Sequence, residues 1–120
     1  MGKTTQSSTA EQLKMIDALA YKLAERAAAL NGSPGKDVSD LFVNSSQLAI
    51  ILERLEKEAS QNGWTVEAEL ARNLEKQISS GKRQIQSYAS NSGFQLPMVY
   101  GDVLKDFERD PNAFLERYRG

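Results

Sequence analysis

The chain has 120 residues, 40% apolar and 26% charged, with three prolines and eight glycines, a composition that suits one folded domain and argues against wholesale disorder. Fifteen basic side chains against sixteen acidic ones leave a net charge of −1, so no overall field draws in nucleic acid, anionic lipid or an acidic partner. Cysteine and histidine are both absent, which removes disulfides, thiolate chemistry, the commonest general base and the commonest transition-metal ligands together.

Residues 1–8 read as a flexible start, rich in Ser and Thr and lacking the apolar stretch of a secretory signal. Myristoylation at Gly2 calls for Ser or Thr where Gln6 stands. The expectation is a soluble cytoplasmic protein, although such a polar leader also suits a helical effector exported by a specialised machine. The run Leu48-Ala49-Ile50-Ile51-Leu52 is far shorter than the roughly 20 apolar residues that cross a bilayer.

Residues 9–120 read as a single domain. A first helix is predicted over 9–31: Ser8 and Glu11 have the spacing of a capping box, and Asn31-Gly32 supplies a left-handed stop. Between these ends Leu13, Ile16, Ala20, Leu23, Ala27 and Leu30 recur at spacings of three and four, a seam that must face another helix. Residues 32–37, Gly-Ser-Pro-Gly-Lys-Asp, read as a loop, with a short helical turn after it at Val38 to Phe42. A second helix is predicted over 45–61, capped by Asn44 with Gln47 as reciprocal partner, and carries Leu48, Ile51, Leu52 and Leu55 inward.

Asn62-Gly63 stops that helix and Thr65 can cap the next, so the short link forces an antiparallel hairpin. The third helix, 66–90, continues the seam through Ala71, Leu74, Ile78, Gly81, Ile85 and Tyr88 until Asn91-Ser92-Gly93. Gly81 marks either close backbone approach or a break after Ser80; one continuous helix with a weak point is expected. The segment 94–118 differs in kind. Phe94 to Tyr100 is apolar but interrupted by Pro97, Asp102 caps a short helix, and Asp110-Pro111 starts another. Six of the nine aromatic residues fall from Tyr88 onward. The expected fold is all-α: an antiparallel bundle of three long helices plus two short C-terminal helices.

Few residues have a spacing that points to chemistry. Ser79 and Lys82 have the spacing of a lysine-activated serine without its companion motifs, and Gly2-Lys3-Thr4 and Gly35-Lys36 are fragments of a phosphate loop without its upstream glycine. Glu67, Glu69 and Glu75 form the acidic set of the third helix, but carboxylate metal sites in bundles pair Glu with a His that is missing here, so no metal and no cofactor are expected. Trp64 reads as structural, closing over the first turn of the third helix.

No motif ties the chain to a known family. By exclusion, the expected function is that of a non-enzymatic protein-binding factor: an adaptor, a chaperone-like protein or a small inhibitor of a larger complex, of bacterial or phage type. Its binding face is placed at Phe94, Leu96, Met98, Val99, Tyr100, Phe114 and Tyr118, since Met and Tyr adapt to or anchor partners at modest entropic cost. The alternative is an accessory nucleic-acid binder that uses Lys82, Arg83, Arg117 and Arg119 on phosphates. Seam positions can also pack across a two-fold axis, which makes a homodimer compatible with the pattern.

Overall fold

The computed structural model describes residues 5–99 and 101–119. It contains five helices: α1 (Gln6–Ala28), α2 (Gly35–Gln61), α3 (Thr65–Ser92), α4 (Val103–Arg109) and α5 (Pro111–Glu116), with no strand among the described residues. The all-α bundle of three long and two short helices is therefore present, 44 Å long and 24 × 22 Å across.

α1 starts a turn earlier than its Ser8–Glu11 spacing predicts. Thr5 is the N-cap: its Oγ1 accepts from the Ser8 amide at 3.0 Å, and Ser8 Oγ accepts from the Thr5 amide at 3.1 Å. Ser8 thus serves as the reciprocal partner of a capping box rather than as the cap. The extra turn buries Thr9 and lets Gln6 Nε2 donate to Glu67 Oε1 at 2.6 Å, which ties the first turns of α1 and α3 together. The helix ends at Ala28, before Asn31; Gly32 then adopts φ +82° in the turn, a conformation that glycine enters without a Cβ penalty.

The largest difference from the sequence reading is α2. It is one helix from Gly35, so the predicted loop over 32–37 is shorter, Gly35-Lys36 forms a first helical turn, and Asn44 lies mid-helix instead of capping. Pro34, in extended conformation, is the N-cap, a position where its missing N–H costs nothing. The seam is unbroken through Val38, Leu41, Ser45, Leu48, Leu52, Leu55 and Ala59, all buried. Ser45 and Ser46 have the composition of a helix boundary, yet both are buried inside the helix.

α3 runs unbroken through Gly81 to the left-handed cap at Gly93, φ +75°. Trp64, not Thr65, occupies its N-cap, and Thr65 Oγ1 donates instead to the Gly63 carbonyl at 3.4 Å. Three-residue and six-residue links make successive long helices antiparallel, leaving α1 and α3 parallel to each other. α3 packs along both neighbours, whereas α1 and α2 meet over a shorter stretch. A Cβ built on Gly81 would lie 3.7 Å from Ala27 Cβ, so the close approach of α1 and α3 occurs where two small residues oppose.

The C-terminal segment covers the side where α1 and α2 are in least contact, as a clasp. After Gly93 the chain extends along α2, with the Phe94 ring against Gly35 and 6.2 Å from Tyr88. The Tyr88 hydroxyl in turn accepts from the Gly32 amide at 3.2 Å and donates to the Ser33 carbonyl at 3.4 Å, holding the turn between α1 and α2. α4 lies on α2 and α5 on α1, and Val103, Phe107, Phe114 and Leu115 complete the core between them. Asp110 caps α5 as expected, accepting from the Ala113 amide at 3.2 Å ahead of Pro111. Asp102 precedes α4 but makes no side-chain cap bond.

Candidate functional site

The aromatic segment singled out in the sequence divides into covering and exposed parts. Phe114 is 3% exposed and sits edge-on to Phe107 with ring centroids 6.0 Å apart. Phe94 and Leu96 are half-buried against the core. Tyr118 donates its hydroxyl to Gln47 Oε1 on α2 at 2.5 Å, and burial pushes that phenol up to about 12 against the opposing charge of Arg117. These four side chains hold the clasp down. Met98, 76% exposed, remains at the surface, with half-buried Val99 next to it beside Val43 and Asp102. Tyr100 lies outside the described residues.

The four basic residues lie in two separate places. Lys82 projects over the Phe42 ring, 5.4 Å from its centroid, and Arg83 lines the shallow α1/α3 surface with Gln84 and Asn91. Arg117 stacks 4.8 Å from the Phe114 centroid, and Arg119 pairs with Glu116 at 2.9 Å. Two of the four cations are thus over aromatic faces and a third is paired with a carboxylate.

The acidic set of α3 is also dispersed. Glu67 is bound to Gln6, while Glu75 turns toward α2, where Glu56 and Glu53 stand. Burial, the adjoining Glu56 carboxyl and then the Glu53 charge push Glu75 up to about 7, with Arg72 pulling the other way. Arg72 Nε reaches Glu56 Oε2 at 3.6 Å, and Glu75 Oε1 is buried without a hydrogen-bond partner. Among the described residues no three metal-ligating side chains converge, and Ser79 is exposed on the α3 surface.

A groove that sequence reading did not single out lies between α1 and α5, with a volume of about 530 Å³. One wall is a single face of α1, formed by Glu11, Lys14, Met15, Ala18 and Lys22, with Leu19 beneath it. The other is Asn112, Leu115, Glu116 and Arg119, again at helical spacing. Leu19 and Leu115 are buried and form the floor, Met15 is half-buried, and Ala18 is exposed. The signal was legible in part: Met15 and Leu19 form an i, i+4 apolar pair beside the main α1 seam and widen its apolar arc. What faces them was not, because it depends on where α5 docks.

No family model matches the chain, and no curated protein or solved structure matches it.

Proposed function

We propose that this chain is a non-enzymatic protein-binding factor, of the adaptor, chaperone-like or small-inhibitor kind, and that it docks its partner in the α1/α5 groove. The observation that carries this reading is an apolar trough walled by two helix faces and rimmed by charge, the form in which one helix accepts another. Its volume lies in the range of ligand-binding clefts, and its polar rim with apolar floor is the usual anatomy of a docking surface. Exposed Met98 on the clasp is the second apolar position open to a partner.

The test is affinity capture from the native host followed by variants in the two surfaces. Ala18→Arg fills the groove from an exposed position and leaves the core untouched, so it is expected to abolish capture while the melting temperature stays unchanged. Met98→Glu is expected to leave capture intact. The opposite pattern, loss with Met98→Glu and retention with Ala18→Arg, would move the docking face to the clasp.

A further inference from the structure

The charges around the groove are unequal in their availability. Arg119 and Glu116 satisfy each other at 2.9 Å. Lys14 and Lys22, both exposed, take part in no ion pair among the described residues. Glu11 is the one rim carboxylate left at the end of the α1 wall. The trough is therefore an apolar floor flanked by two ammonium groups engaged in no ion pair, with Glu11 the single unpaired carboxylate on the rim among the described residues. The two lysines lie eight positions apart on one helix, about 12 Å at 1.5 Å per residue.

We infer, resting on the docking reading above, that the groove recognises an acidic amphipathic helix of a partner protein. Its apolar stripe seats over Met15, Ala18 and Leu115, and carboxylates flanking that stripe pair with Lys14 and Lys22. The wall from Glu11 to Lys22 is about three turns long, so a partner helix of about 12 residues covers it. Two acidic residues seven or eight positions apart on the partner place their charges about 11–12 Å apart, matching the two lysines. Lysine, a flexible point charge, tolerates either spacing. A basic or neutral helix of the same shape leaves both ammonium groups without counter-charge as the groove is covered, which disfavours it.

The experiment uses the full chain and a synthetic peptide of about 14 residues, locked helical by a side-chain lactam because so short a helix is marginal alone. It carries leucines along one face and two flanking glutamates seven positions apart. Binding is followed by methyl chemical shifts of Met15 and Leu115 and by titration calorimetry. The Glu peptide is expected to shift both methyls and to lose about tenfold or more in affinity when its glutamates become glutamine. The same loss is expected with the K14E/K22E variant, whose exposed substitutions leave the fold intact, and a lysine-flanked peptide regains binding to that variant. Affinity is expected to weaken with added salt.

Equal binding of Glu and Gln peptides would overturn the acidic preference and leave the docking reading standing. Methyls that respond to decanoate and to no peptide would overturn both in favour of a lipid-like ligand. Methyls that shift with protein concentration alone would assign the groove to a second copy of the chain. Silence toward every peptide overturns the inference, and the Ala18→Arg capture experiment then judges the docking reading independently.

Discussion

Gly81 and Ser46 show how one side chain sets local stability. Gly81 is inside α3 with no positive φ, and a Cβ there meets only Ala27 Cβ at an ordinary 3.7 Å. Its flexibility costs helix stability without any contact requiring it, so Gly81→Ala is expected to stabilise the fold by about 0.5–1 kcal/mol in urea unfolding. A loss instead would mean that α1 and α3 cannot absorb one methyl. Ser46 is buried with its Oγ unpartnered in the middle of α2. Alanine removes the unpaired hydroxyl and improves helix propensity, and Ser46→Ala is expected to add about 1 kcal/mol to the same measurement. The segment around Ser46 also explains why the start of α2 was misplaced from sequence. Asn44, followed by Ser45 and Ser46, looks like a boundary because Asn and Ser favour caps, and only the apolar spacing on either side, Val38 and Leu41 before and Leu48 after, reveals that the seam continues through them.

At the scale of elements, the α2/α3 interface carries a pH dependence. Glu75 is held protonated up to about pH 7 in the folded chain but ionises from its ordinary value of 4.5 when unfolded. The folded state then binds more protons between these values, so this group's contribution falls as pH rises from about 4.5 to 7 and is gone above it. Glu75→Gln is expected to flatten that slope and to raise stability at pH 8 by about 1 kcal/mol, a figure reduced for the partial exposure of the site. Urea midpoints at pH 5 and pH 8 for both proteins check it; an unchanged difference would remove Glu75 as the cause. Elements were legible in the sequence where seam and stop signal agree, as for Ala71 to Ile85 ahead of Gly93. They were misplaced where a local signal competed with a longer one. Ser8–Glu11 lost to Thr5–Ser8, and the glycines around Pro34 disguised the first turns of α2. The candidate site was less legible still. Phe114 and Met98 read alike as apolar tail residues, yet tertiary packing buries the first and exposes the second.

For the whole molecule, the limited contact between α1 and α2 makes the clasp part of the core. Phe107→Ala or Phe114→Ala, each in a nearly solvent-free position, is expected to cost about 3–4 kcal/mol, with binding of a hydrophobic dye if the clasp detaches. Full stability in either variant would mean that α4 and α5 merely rest on the bundle. The α2–α3 hairpin is closed by a three-residue link, whereas the clasp must return to helices begun far earlier in the chain. Short terminal helices held by a few tertiary contacts belong to the less stable units, which open ahead of the long-helix core. Amides of α4 and α5 should therefore exchange with solvent through a partial opening that leaves α2 and α3 protected. Because α5 is also a groove wall, whatever occupies the groove must hold that opening shut, and occupancy becomes readable as slowed exchange at amides the ligand never touches.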